Sequence, residues 1–189
     1  MKFFLYNFIL ILLLPLIISR LIIRSLKDRD YIKNISNRFG IYENETESNP
    51  VWFHAVSLGE VISSETLIKK ILIDNKVVLS VSTPTGYRQA EKIFGNSLQI
   101  VYAPWDIYFF VNNFLKKFNP KALIIFETEI WPSMIKASSA KKIPIFLTNA
   151  RLSQESNSKY SNIKFFLKEV VELFTCLLYT SDAADEVVR

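Results

Sequence analysis

The sequence predicts an α/β fold: a doubly wound parallel sheet preceded by a membrane-anchor helix. Five short apolar, β-favouring runs between residues 51 and 147 each adjoin a segment with helical spacing. The runs are uniformly apolar rather than alternating, as in a parallel sheet covered on both faces. Ahead of them, Phe3 to Ile23 is broken only by Asn7, Ser19 and Arg20.

At about 20 residues this first run is just long enough to cross a bilayer as a helix, and Pro15 is tolerated there. Arg20 near its end and Arg24, Lys27, Arg29 and Lys33 beyond it stand against only Lys2 and the amino terminus ahead, so the positive-inside rule places the main body in the cytoplasm. A cleavable signal peptide is the competing reading. No small-x-small site closes the run, and Arg20 stands where one is needed. Residues 1–23 are therefore read as an uncleaved anchor. Arg24 to Phe39 interleaves basic and apolar residues, which suits an amphipathic helix on anionic headgroups, each cation contributing about 1 kcal/mol. Gly40 is its natural C-cap, and Tyr42 to Pro50 reads as an exposed linker. Residues 24–50 thus form a basic juxtamembrane segment.

The expected strands are Val51–Val56, Val77–Val81, Gln99–Tyr102, Ala122–Phe126 and Ile143–Leu147. Between them lie the helices Glu60–Ile73, a segment ending near Phe94, Ile107–Phe118, and one with Pro132 in its first turn. Polar residues follow each strand: Ser57 and Glu60, then Ser82, Thr83 and Thr85, then Asp106, then Glu127 and Glu129, then Thr148, Asn149 and Arg151. All would line the carboxyl edge of the sheet, where ligands bind. Ordinary capping is the alternative for any one of them, Thr85 and Ser153 above all.

Glu60 falls in the first turn of its helix, where the dipole favours an ionised carboxylate, so it is a candidate general base. The plainer reading makes it a helix-start residue. Glu127 and Glu129, one residue apart, share a face if extended, which would raise one pKa or bind a cation. Alternatively one caps the helix at Trp131 and the other points into solvent. His54, the only histidine, sits inside a strand without a Cys, His or Asp cluster. A buried, hydrogen-bonded structural role suits it better than metal ligation. Trp105 and Trp131 stand at strand-to-helix turns, as site walls or core fillers.

Composition excludes several classes. Four glycines in 189 residues, with no GxGxxG or Walker pattern, argue against a phosphate-binding loop. A single cysteine, Cys176, excludes an internal disulfide framework. The net charge of +5 favours an anionic partner. No basic–aromatic interleaving or DNA-binding motif points to nucleic acid. Neither a metal nor a cofactor is expected.

Five blocks then resemble one family. Trp52-Phe53-His54-Ala55-Val56-Ser57-Leu58-Gly59-Glu60, Thr83-Pro84-Thr85-Gly86, Tyr102-Ala103-Pro104-Trp105-Asp106, Glu127-Thr128-Glu129-Ile130-Trp131-Pro132 and Asn149-Ala150-Arg151-Leu152-Ser153 resemble, in order, the signature blocks of Kdo (3-deoxy-D-manno-octulosonic acid) transferases. Asn37-Arg38-Phe39-Gly40 resembles the family's juxtamembrane motif. The resemblance implies the amino-terminal Rossmann-like domain of a GT-B glycosyltransferase at the inner membrane, here residues 51–175. That domain would bind an anionic lipid A precursor, and a second domain, absent from this chain, would bind CMP-Kdo. It further implies Glu60 as general base and Glu127 as transition-state stabiliser. Ser57, Gly59, Thr83, Thr85, Glu129, Asn149, Arg151 and Arg38 are the expected substrate-binding residues. Residues 176–189 resemble a translated sequencing adapter and are set apart from the fold; without their net acidic charge the rest is more basic. Two other readings are a different inner-membrane GT-B transferase with a lipid acceptor, and a non-catalytic lipid-binding module.

Overall fold

The computed structural model describes residues 2–43, 49–127, 129–150 and 169–179. The chain opens with α1 (Lys2–Ser25), a 3-10 turn at Arg29–Tyr31 and the short helix α2 (Ile35–Arg38). The alternating core follows as β1 (Val51–His54), α3 (Leu58–Leu72), β2 (Val77–Val81), α4 (Pro84–Phe94), β3 (Gln99–Tyr102), α5 (Tyr108–Phe118), β4 (Ala122–Phe126), α6 (Pro132–Ala140), β5 (Ile145–Ala150) and β6 (Cys176–Tyr179).

All paired strands are parallel, in the order β3-β2-β1-β4-β5-β6. That is the doubly wound arrangement, with its winding reversed between β1 and β4. The side chains of β1 show why both faces need cover. Val51 and Phe53 join one apolar cluster with Val61 and Ile68 of α3 and Ala90 and Phe94 of α4. Trp52, pointing the other way, joins Phe114 and Phe118 of α5 and Met134 and Ile135 of α6. The Trp52 ring stacks on Phe114 at 4.0 Å between centroids. Its Nε1–H donates to Ser80 Oγ (2.8 Å), which also meets His54 Nδ1 at 2.8 Å. His54 is thus the buried, hydrogen-bonded core residue that its place in the strand implied.

The sheet departs from expectation at its edge, where β6 uses residues that the sequence reading set outside the fold. Cys176-Leu177-Leu178-Tyr179 is an apolar run able to extend the sheet, and it pairs with β5 across a register shift between Thr148 and Ala150.

The juxtamembrane segment also differs from the single amphipathic helix expected over Arg24–Phe39. Asp28 accepts a hydrogen bond from Asp30 N and starts a separate turn, and Asn34 takes a left-handed conformation that breaks the path again. Asp28 and Asp30 both pair with Arg88 of α4, which turns the segment onto the domain rather than onto a flat surface. The expected linker begins inside the core as well. Tyr42 is buried, and its hydroxyl donates to the Tyr102 carbonyl at 3.0 Å; residues 44–48 lie outside the described residues.

Gly40 ends α2 as expected, with φ +75°. A Cβ there would collide with the Phe110 carbonyl oxygen. Gly40→Ala should therefore cost about 1–3 kcal/mol in denaturant unfolding; an unchanged midpoint would contradict this packing.

α1 lies along the domain with one stripe turned inward. The Tyr6 hydroxyl donates to Asp106 Oδ2 (2.8 Å), and Asn7 Oδ1 accepts from Tyr108 N (2.7 Å) at the start of α5. Asp106 also accepts from Ser133 N (3.0 Å) and Met134 N (2.8 Å), the free amides opening α6.

Asp106 and His54 impose opposite pH slopes. Burial pushes His54 from 6.5 down to about 4. Across that window the unfolded chain binds more protons, so this residue makes stability rise with pH. Burial pushes Asp106 from 3.8 up to about 7, against its hydrogen bonds. There the folded chain binds more protons, so stability falls as pH rises. Each slope is at most about 1.4 kcal/mol per pH unit. Thermal unfolding in detergent should show Asp106→Asn gaining stability from pH 4 to 6.5, and His54→Gln losing it over the same interval. Two variant profiles parallel to the parent would refute this assignment.

Candidate active site

The reversal between β1 and β4 opens a crevice at the carboxyl ends of two neighbouring strands, and three acidic side chains come from those ends. From β1 the chain runs through Ala55 and Val56 to Ser57, the N-cap of α3. Ser57 and Glu60 form a variant of the capping box, in which the N-cap hydroxyl takes the Glu60 amide while the Glu60 carboxylate takes the Val56 amide and the Ser57 hydroxyl. Glu60 N donates to Ser57 Oγ (3.5 Å) and Ser57 Oγ donates to Glu60 Oε1 (2.7 Å). Glu60 Oε2 accepts from Val56 N at 2.6 Å. The helix-start role is therefore present in the geometry. It occupies two of roughly four lone-pair sites on the carboxylate, so acceptor capacity remains.

Glu60 is only 7% exposed. Burial pushes its pKa up, the bonds from Ser57 and Val56 oppose this, and the charges of Glu129 and Glu127 add to the rise. The charges of Glu129 and Glu127 thus reach the Glu60 carboxyl.

Glu127 and Glu129 do not share the extended face expected of them. Glu127 is left-handed, with φ +62°, which breaks the alternation directly after β4. Asn149, left-handed at φ +57°, lies opposite, and its amide nitrogen donates to Glu127 Oε1 at 3.4 Å. Two non-glycine residues at positive φ thus face each other across adjacent strand ends. Glu129 Oε2 accepts from Trp131 Nε1 at 2.7 Å. Neither glutamate caps α6; Asp106 does, so its place is structural rather than on the open edge. Among the described residues no group of three or more His, Cys, Asp or Glu side chains is placed to hold a metal ion.

The loop after β2 adjoins Glu60. Thr83, not Thr85, is the cap: Thr83 Oγ1 accepts from Gly86 N (3.1 Å), while Thr85 Oγ1 only reaches Thr83 Oγ1 at 3.4 Å. Gly86 lets the starts of α3 and α4 close up, since a Cβ there would lie 3.2 Å from the Ser57 carbonyl carbon. Gly59 faces open space, with nothing within 4 Å of an added Cβ. Arg38 is 5% exposed. Its Nη2 donates to the Ser82 carbonyl at 3.1 Å, and its guanidinium lies over the Tyr102 ring at 4.5 Å. It pins the juxtamembrane segment to the strand ends instead of projecting toward solvent. Arg151 and Ser153 lie outside the described residues.

The structure therefore brings Ser57, Gly59, Glu60 and Thr83 together with Glu127, Glu129 and Asn149, and places Arg38 behind Ser82. Sequence reasoning missed the part played by α1. The signal was available in Tyr6 and Asn7, two polar groups in an otherwise apolar run.

Comparison with known proteins agrees with this geometry. Residues 33–189 match the family model described as 3-deoxy-D-manno-octulosonic-acid transferase (kdotransferase). The chain is 33% identical to a protein of Haemophilus influenzae named 3-deoxy-D-manno-octulosonic acid transferase, over 87% of this chain and 40% of that protein. It is 28% identical to the protein of the same name in Rickettsia bellii, over 94% of this chain and 43% of the relative. It is 30% identical to a probable mitochondrial 3-deoxy-D-manno-octulosonic acid transferase of Arabidopsis thaliana, over 78% of this chain and 34% of the relative. The chain thus spans about two-fifths of the length of these relatives. With the family model covering well over half of its residues, the chain belongs to the Kdo transferase family of glycosyltransferases.

Proposed function

We propose that the whole protein transfers Kdo from CMP-Kdo to a lipid IVA-type lipid A precursor at the cytoplasmic face of the inner membrane. Transfer is inverting and uses no metal. Residues 51–175 bind the acceptor, and the donor site lies in a second domain of the GT-B type. The 189-residue chain by itself is not expected to transfer. α1 is long and apolar enough to cross a membrane, and it exposes Phe4, Phe8 and Leu12 on its outer face. These features support an amino-terminal anchor for residues 1–23 and a membrane-bound acceptor.

The observation that carries the reading is the Glu60 carboxylate at the β1–β4 crevice, its pKa raised by burial and by two further acids. A sugar hydroxyl is a weak acid, so a raised carboxylate pKa makes Glu60 a better proton acceptor as the new bond forms. Its capping bonds fix it on a rigid turn, which lowers the cost of aligning it. Cleavage of the bond to cytidine monophosphate leaves positive charge on the Kdo ring. Glu127, held by Asn149, supports the role of stabilising that charge. Ser57, Gly59, Thr83 and Thr85 surround the acceptor, with Glu129 and Arg151, and Arg38 braces this edge.

The test joins this chain to the carboxyl-terminal domain of a relative and follows transfer from CMP-Kdo. Glu60→Gln keeps an oxygen to accept from Val56 N and sets an amide NH2 to donate to Ser57 Oγ, so the turn is retained with one bond reversed. Transfer should drop by ~10²-fold or more with the thermal midpoint unchanged. Full transfer by that variant would remove Glu60 as base; a joined parent inactive toward every acceptor would favour a non-catalytic lipid-binding module.

A further inference from the structure

The structure holds a cavity of about 410 Å³ of which the proposed function uses only Glu129. One wall is the inward stripe of α1: Tyr6, Leu10, Leu14 and Ile17. The spacing of four, four and three residues is the helical period, so these side chains form a continuous strip. The facing wall comes from the loops after β3 and β4 through Trp105, Ile107, Ile130 and Trp131. Asp106 and Glu129 supply the carboxylates of the lining.

We infer that this cavity takes one alkyl chain of the acceptor glycolipid, with α1 as the wall along which the chain enters. The inference rests on the proposed function and adds a subsite to it. Four arguments converge on that occupant. The lining is predominantly aliphatic and indole surface, and the volume falls within the range of small-molecule sites. The helix that forms the inner wall exposes Phe4, Phe8, Leu12 and Leu16 on its other side, so the surface meeting lipid is continuous with the wall of the cavity. Asp106 is held by Tyr6 and by the α6 amides, which leaves Glu129 as the available polar group. Glu129 is fixed by Trp131 and lies close enough for its charge to act on Glu60.

That last feature separates a glycolipid from a bulk phospholipid. Ionised carboxylates only accept hydrogen bonds. They suit a head that presents sugar hydroxyls and repel a phosphodiester set directly at this point. A chain seated between α1 and the two tryptophans would bring its attached sugar to the crevice where Glu60, Glu127 and Glu129 converge. The cavity would then act as a depth gauge, setting how far the acceptor rises from the membrane.

The tryptophans provide the readout. The chain has three; Trp52 is fully buried in the core, whereas Trp105 and Trp131 line the cavity. The full chain in lipid nanodiscs is titrated with dodecyl glucoside brominated near the chain end, a contact quencher of indole emission. Saturable quenching is expected, leaving the Trp52 emission. It should be reversed by unbrominated glucosides, with competition strengthening ~4-fold per methylene from hexyl to decyl and then levelling off as the cavity fills. Leu14→Phe, which occupies part of the space, should weaken the half-saturation point by ~10-fold; Leu12→Phe, on the exposed side, should leave it unchanged and controls for folding. Competition that strengthens without levelling, or equal quenching by brominated phosphatidylcholine, would overturn the inference in favour of unspecific contact with the bilayer. Glucoside binding is read on this chain without turnover. Its failure is therefore distinguishable from failure of the Glu60 test.

Discussion

Everything at the candidate site depends on β1 being paired on both sides. Its register runs from Val51 opposite Val77 to His54 opposite Ser80 on one flank, and from Val51 opposite Ala122 to His54 opposite Ile125 on the other. A strand so placed has no free backbone edge and buries both faces, which fixes where its last residue points. The chain must leave it at Ala55, and Ser57 at once starts α3. Because β4 is the other neighbour, whatever follows Phe126 is set beside whatever follows His54. The carboxylates of Glu60, Glu127 and Glu129 are neighbours because of that adjacency.

Three acids together are costly by ordinary electrostatics, since like charges disfavour ionisation. The structure offsets the cost locally. The Val56 amide and the Ser57 hydroxyl support Glu60, the Asn149 amide meets Glu127, and the Trp131 indole meets Glu129. Each donor is neutral, so the negative character of the crevice is kept while each group is held in place. That arrangement suits chemistry in which a proton is accepted and positive charge appears on a sugar ring. Arg38, the nearby buried cation, is turned to the Ser82 carbonyl and the Tyr102 ring.

The layered fold was legible because parallel strands must be apolar on both faces, and that pattern stands out in a single sequence. Val77–Val81, Gln99–Tyr102 and Ala122–Phe126 came out with the expected bounds. The place of Glu60 in the first turn of its helix was legible too, and the cap that Ser57 adds makes the structural and catalytic readings of Glu60 compatible rather than rival. Other features escaped for local reasons. The left-handed turn at Glu127 is set by its opposition to Asn149 on another strand, which spacing along one chain does not encode. The juxtamembrane segment was read by its cations, whereas two aspartates, through Arg88, decided its path.

α1 shows the same limit from another direction. Hydropathy reads Phe3 to Ile23 as one apolar span with three polar interruptions, but the structure divides it into two surfaces. Tyr6 and Asn7 tie its first turns to Asp106 and to the start of α5, and the strip through Leu10, Leu14 and Ile17 continues the attachment beside the cavity. A helix held in this way cannot bury its whole circumference in lipid, because one side is already committed to the domain. The side left exposed carries Phe4, Phe8, Leu12 and Leu16. Burying those groups contributes on the order of 1.5–3 kcal/mol each, ample to hold the domain against a bilayer without a full crossing. Under the proposed function, a helix docked so would keep the carboxylate crevice at the lipid boundary, and an acceptor would be reached while its chains remain in an apolar environment throughout.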